Sequence, residues 1–366
     1  MVKYVSDLST EALAAVLLIL LALATGLLLG ISALFQWEAE ATPATPAIHL
    51  AFVTPTPLPP QPAPAVVVPV DPTPQPSSTP VPYFAGGNEM GQVMILEYHA
   101  IGYPEIRYRR SPDNLRADLA QLHAQGYYPV NFIDLLNGLP DVPPGKKPVV
   151  LTFDDSNISQ FKVLEDGSID PDSAVGILLA FHQQHPEDWP LKATFFVLGN
   201  PYSDYETTFG QPDLAEAKLQ FLVDSGMEVA SHTVTHADLS VSTAEELQWE
   251  LATSKRVLED LIPGYTVQTM AVPFGAFPHS VDFLASGQWG ELEYSYAGNA
   301  HAWGGPTDSP HSPAFKTYRV PRLEVTGQEI DYWLSYFAQY PEAYYVSDGD
   351  PGRLTVAPQE AAFADE

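Results

Sequence analysis

The chain has 366 residues, 45% hydrophobic and 11% aromatic, enough for one large domain or two ordinary ones with a real core. Its 16 basic side chains face 45 acidic ones, a net charge of -29; this argues against nucleic-acid binding through phosphates and reads as a solubilising acidic surface. There is no cysteine, which excludes disulfides, thiolate metal sites and cysteine nucleophiles.

After a short segment, residues 1–11, the run from Ala12 to Phe35 carries no charged side chain. A bilayer core of about 30 Å takes about 20 apolar residues to cross, whereas a secretory signal has an apolar region of about 7–15. The run 12–35 therefore reads as a single-pass transmembrane anchor in a bacterial cell membrane, with Trp37 near the outer interface. A cleaved signal and a secreted product is the alternative. Proline then dominates residues 36–87, a composition that favours an extended, polyproline-like extracellular linker and cannot bury a core. A folded domain is expected over residues 88–346, and residues 347–366 read as a polar, acidic, loosely ordered tail.

Within the domain, QVMILEYHAI reads as a first strand, and Leu115, Leu119 and Leu122 recur at helical spacing up to Gly126. YPVNF, PVVLTF, LKATFFVLG, MEVASH and TVQTMAVPFG read as further strands. A short helix is expected at IDLLNGL, and an amphipathic one follows SVST, with Ser242 and Glu245 as its capping box and Leu247, Leu251, Leu258 and Leu261 on one face. Weaker strands are expected around Glu293–Ala297 and Tyr318–Val325. Strands alternating with helices predict a parallel α/β architecture, a class in which a barrel builds its active site at the C-terminal ends of its strands.

Polar residues cluster at those ends. Asp154 and Asp155 end PVVLTFDD, and His232 and His236, four apart, follow MEVA. Successive side chains of an extended segment diverge. Asp155 is therefore expected to face a metal with the two histidines, and Asp154 the water that attacks, as general base. A cation offsets the cost of crowding two carboxylates, and two imidazoles with one carboxylate suit zinc or a similar ion with open positions. VPFG, Val272 to Gly275, offers a backbone N–H for an oxyanion, and His99 in EYHAI offers a general acid on the same face.

TFDD, SHTVTH and PFG, with ATFFVLG between them, together resemble the polysaccharide deacetylases, the NodB-homology carbohydrate esterases, over roughly Gln92 to Val325. The resemblance implies a distorted (β/α) barrel and metal-dependent hydrolysis of a linear amide, removing N-acetyl groups from a polymer containing N-acetylglucosamine, such as peptidoglycan or an exported glycan. It implies Asp154 as catalytic base, Asp155, His232 and His236 as metal ligands, and Phe274 as backbone donor to the oxyanion. The metal it implies is divalent, Zn2+ first, with Co2+ or Ni2+ as alternatives.

Ala271 stands where the family has the arginine of R-x-P-Y/F-G, Ser156 stands where a glycine follows TFDD, and there is no late LxH acid histidine. The missing arginine and the missing late histidine, though not Ser156, resemble the circularly permuted subgroup. There the acid histidine comes early in a Tyr-His pair, matched by Tyr98-His99, and Arg322 of RVPRLEV takes the missing arginine's place to orient Asp154. An insertion, Asn157 to Pro190, reads as a surface excursion plus helix, with Asp166, Asp170 and Asp172 as a weaker option for an ion. Trp303 and Tyr296 are candidates for stacking on sugar rings or for the core. The alternatives to a deacetylase are a catalytically silent glycan-binding surface module and a metal-dependent amidase on another N-acyl substrate.

Overall fold

The structure is a computed structural model that describes residues 86–200 and 207–357. The expected anchor and nearly all of the proline-rich linker lie outside the described residues, among which no helix is long and apolar enough to cross a membrane.

The order of elements begins β1 (Met94–Tyr98), β2 (Ala100–Ile101), β3 (Arg109–Arg110), α1 (Pro112–Ala124), β4 (Tyr127–Val130), α2 (Phe132–Leu136) and β5 (Lys147–Phe153). It continues with α3 (Ala174–Gln184), β6 (Thr194–Val197), α4 (Ala215–Asp224), β7 (Glu228–Ser231), α5 (Ala244–Leu261) and β8 (Thr269–Ala271). The last elements are α6 (Asp282–Ala285), β9 (Ser286–Trp289), β10 (Leu292–Ser295), β11 (Gly298–Ala300), β12 (Leu323–Glu324) and α7 (Glu329–Gln339).

Eight strands form one parallel sheet in the order β11-β8-β7-β6-β5-β1-β12, with β4 paired along the first half of β5. The strands β1, β6 and β7 are buried at every position, as a sheet covered on both faces requires. Its two edges meet through one segment: Val320 bridges Ala300 beside β11, and Leu323 pairs with Leu96 of β1. The curved parallel sheet agrees with the expected barrel type.

Local chemistry explains the helix boundaries. Ser111 caps α1 by accepting the Asn114 N–H at 3.2 Å, and Gly126, with φ 81°, lets the chain turn off its end. The capping box of α5 lies one residue later than the sequence suggests. Thr243 and Glu246 form it, because the Ser242 hydroxyl donates to the Asp238 carbonyl instead. The strand expected at Glu293–Ala297 forms as β10, but it pairs antiparallel with β9 in a separate hairpin. The barrel strand of this region is β11, whose sequence GNA carries no β-branched or aromatic residue to announce it. Of Tyr318–Val325, only Leu323–Glu324 is regular strand.

The insertion is a surface excursion plus α3. Its acids already have partners: Asp170 pairs with Lys162, Asp172 with Arg116 of α1, and Asp166 closes a turn on Ser168. Residues 347–357, expected in the loose tail, dock instead. The Ser347 hydroxyl donates to Val142 O at 2.8 Å, Thr355 N–H donates to Glu89 Oε2 at 2.9 Å, and Ala357 is buried. Gly91 lies under the neighbouring Tyr344–Tyr345 backbone, where a Cβ would stand 2.2 Å from the Tyr344 carbonyl carbon. Backbone cannot give way there, so Gly91→Ala should destabilise the chain by about 1–3 kcal/mol in denaturant unfolding. An unchanged midpoint would remove this docking contact from the account.

Candidate active site

Each chemical group expected from the sequence sits at or just beyond a strand end. His99 follows β1, Asp154 and Asp155 follow β5, His232 follows β7, and Phe274 lies in the turn Pro273–Gly275 after β8. With His236, Glu97, Tyr108, Trp303 and Glu324 they line one cavity of about 280 Å³. Arg322, just before β12, is buried beside Asp154.

Asp155 Oδ1 lies 3.4 Å from His232 Nε2 and 3.3 Å from His236 Nε2. That oxygen is buried without a hydrogen bond of good geometry, an orphan facing two imidazole nitrogens. Two donors each about 2.0–2.1 Å from a tetrahedral zinc stand about 3.3–3.4 Å apart, so this donor set fits a divalent metal. His232 Nδ1 donates to Ala271 O at 3.0 Å, which orients the ring with Nε2 toward Asp155. Burial, reinforced by His232, pushes His236 down to about 4, keeping it neutral as a ligand must be. The histidines converge through a tight loop, not a helix. Glu250 of α5 pins that loop, accepting the N–H groups of Val234 at 2.7 Å and Thr235 at 3.0 Å.

Asp154 is held differently. Arg322 Nη1 and Nη2 donate to its two oxygens at 2.7 Å each, a fork that matches the carboxylate. Arg322 also donates to Thr152 Oγ1 at 3.0 Å and His301 O at 2.8 Å. Burial alone would raise the Asp154 pKa, but the guanidinium and its hydrogen bonds outweigh it and hold the acid well below the usual carboxylate range. Glu97, 3.3 Å from Arg322, goes the other way: burial pushes it well up, the guanidinium only partly opposes this, and Asp154 adds to it.

His99 Nε2 lies 3.7 Å from Glu97 Oε1, and its ring rests on Tyr108 with centroids 4.7 Å apart. Burial lowers its pKa, against the pull of the two aspartates. In the Pro273–Gly275 turn, the Gly275 and Ala276 N–H groups donate to Val272 O and Pro273 O, bonds that leave out the Phe274 N–H. Phe274 has φ 56°, and its ring stands 4.4 Å from that of His236. Trp303 is 54% exposed at the cavity rim, whereas Tyr296 belongs to the core and donates to Leu251 O. Four of the eight non-glycine residues with positive φ among those described, Tyr108, Asp155, His236 and Phe274, line this cavity. Local strain thus concentrates where side chains must be aimed.

Sequence reasoning missed Glu97, Tyr108 and Glu250. Glu97 alone had a readable signal, a carboxylate inside an otherwise apolar strand and two residues before His99, hence on the same face.

Fold and site together define a hydrolase-like α/β barrel with a metal-type donor set, Asp155, His232 and His236, in its strand-end cavity. Residues 141–288 match the family model described as polysaccharide deacetylase. A chitooligosaccharide deacetylase from Bradyrhizobium sp. is 34% identical over 89 residues, 24% of this chain and 36% of that protein. Another from Sinorhizobium fredii is 28% identical over 151 residues, 41% of this chain and 57% of that protein. The chain thus spans about a third to just over half of the length of these curated relatives. The Streptococcus pyogenes deacetylase PplD, solved in complex with acetate, shares the fold with a TM-score of 0.51 at 19% identity, covering 67% of this chain and 98% of that one. Residues 141–288 of the chain thus resemble a polysaccharide deacetylase domain. His99 and Arg322 come from outside the matched residues.

The buried Arg322–Asp154 pair yields a prediction with a sign. A carboxyl with a depressed folded pKa stabilises above its unfolded value of about 4 and loses that contribution as pH falls through the folded pKa. Arg322→Met should cost about 3–5 kcal/mol near neutral pH by leaving a buried charge unpaired. In denaturant unfolding the gap to the parent chain should narrow below about pH 4; a gap independent of pH would contradict the assignment.

Proposed function

We propose that this chain hydrolyses N-acetyl groups from a polymer containing N-acetylglucosamine, using a divalent metal, with zinc as the first choice. The observation that carries the reading is the convergence, in one cavity, of the Asp155–His232–His236 donor set with an aspartate held ionised by a buried arginine. When bound, the ion supplies Lewis-acid polarisation of the acetamide carbonyl and acidifies the attacking water.

The chain's own groups do the rest. Asp154, ionised and fixed in orientation by Arg322, accepts the water's proton. The Phe274 N–H is the backbone donor for the developing oxyanion. His99, on the wall formed by β1, gives a proton to the departing amine, and because burial favours its neutral form this step weakens as pH rises. Trp303, Tyr108 and Phe274, exposed around the opening, offer apolar faces to sugar rings and favour a glycan over another N-acyl compound. The silent-module alternative rested on the missing arginine and on Ser156; Arg322 makes the contact which that arginine was expected to make, which removes the first of these grounds. The apolar run 12–35 and the proline-rich linker support a domain held outside the cell membrane, with secretion as the alternative.

The test uses the full-length chain in detergent with zinc, assaying acetate release from N-acetylglucosamine oligomers and from peptidoglycan. Asp154→Asn should lower kcat by about a hundred- to ten-thousandfold while retaining metal. His236→Ala should lose metal and turnover together. Undiminished acetate release from Asp154→Asn would refute the assignment of the base.

A further inference from the structure

A second cluster of imidazole and carboxylate groups lies away from this cavity. His123 is in the last turn of α1, His185 caps the C-terminal end of α3, and Asp188 is in the loop leading toward β6. One donor atom from each lies within 4.8 Å of the other two. Both helices point their C-terminal ends at the cluster, and each is followed by a strand it feeds from below. The cluster is therefore at the N-terminal end of the sheet, opposite the candidate active site.

We propose that His123, His185 and Asp188 bind a second divalent transition-metal ion of the zinc type, which clamps the end of α1 to the end of α3. His123 Nε2 is 3.0 Å from Asp188 Oδ2, and the two imidazoles lie against each other with ring centroids 4.1 Å apart. A salt bridge between His123 and Asp188 would explain the first contact. It does not explain the second imidazole, whose ring nitrogens make no hydrogen bond among the described residues although its ring lies against that of His123. A cation shared by both rings and the carboxylate satisfies all three groups.

The loop that presents Asp188 is built in advance. Trp189 N–H donates to His185 O at 3.0 Å, His182 Nδ1 donates to Trp189 O at 2.8 Å, and the Trp189 side chain is 1% exposed. Phe181 and Trp189 wall the cluster, with ring centroids 4.7 Å from His185 and 5.8 Å from His123 respectively. Two helix C-termini contribute negative partial charge, favourable to any cation. Two nitrogen donors select against magnesium and calcium, which prefer oxygen, and suit zinc, nickel or copper. One group competes: Lys146 Nζ lies 3.4 Å from Asp188 Oδ2. Its side chain is 26% exposed and can turn into solvent when a metal arrives.

Zinc titration of the metal-stripped full-length chain in detergent, by calorimetry and by elemental analysis after buffer exchange, tests this. Two equivalents per chain are expected, and one each in His185→Ala and in Asp188→Asn. His236→Ala, which disables the catalytic donor set, should keep the second equivalent, and adding His185→Ala should abolish it; this separates the proposal from the reading of the active site. Removing the competing ammonium in Lys146→Met should tighten the second step about tenfold or more. Circular dichroism of each variant reports folding, and Asp188→Asn, nearly isosteric, decides the matter should His185→Ala fail to fold. A single equivalent in the parent chain that is lost in His236→Ala, or two retained in Asp188→Asn with unchanged affinity, would overturn the clamp.

Discussion

The structure turns on one buried ion pair, the two-pronged contact between Arg322 and Asp154. Taking two charges out of water costs several kcal/mol per ion, about as much as a domain's whole margin of stability. Four hydrogen bonds from the guanidinium, two to Asp154 and one each to Thr152 and the His301 carbonyl, offset that cost. Each of these partners belongs to the end of a barrel strand. The segment carrying Arg322 also closes the sheet, through Val320 on one side and Leu323 on the other. Closing the barrel and holding Asp154 ionised thus depend on the same segment.

The donor set follows from that frame by local strain. After β5 the backbone turns through positive φ at Asp155 and again at Ser156, which separates the two adjacent carboxylates. Asp154 stays with the arginine, and Asp155 faces the imidazoles. Glycine would adopt the conformation of residue 156 more cheaply, which gives the family's usual choice a physical reason and Ser156 a modest cost. The loop of His232 and His236 is strained at Thr233 and His236 and is held by Glu250. Ala271 keeps a role that does not need its side chain, because its carbonyl orients His232.

Much of this was legible in the chain because strand-end chemistry is local. TFDD and SHTVTH announce themselves by spacing, and the buried runs around them give the parallel architecture. Arg322 was reachable only through resemblance to a family, since 168 residues separate it from Asp154. Glu250 looked like one more polar residue on an amphipathic helix, and only tertiary packing shows that it caps the histidine loop. Tyr108 reaches the cavity through a left-handed backbone position that no propensity favours. β11 was hidden by its small residues, and the capping box was misplaced by one because Ser242 and Thr243 are chemically equivalent as caps until the loop before them is known.

The most direct test of the account is the acid limb of the pH–rate profile for acetate release, measured on the full-length parent and on Arg322→Lys with the same N-acetylglucosamine oligomer. Lysine keeps the charge but cannot grip both oxygens, so Asp154 should protonate at a higher pH and the acid limb should move up, with kcat reduced. An acid limb that stays in place with full turnover, or no acetate release from the parent chain at any pH, would contradict the claim that a buried arginine holds the base of this site ionised.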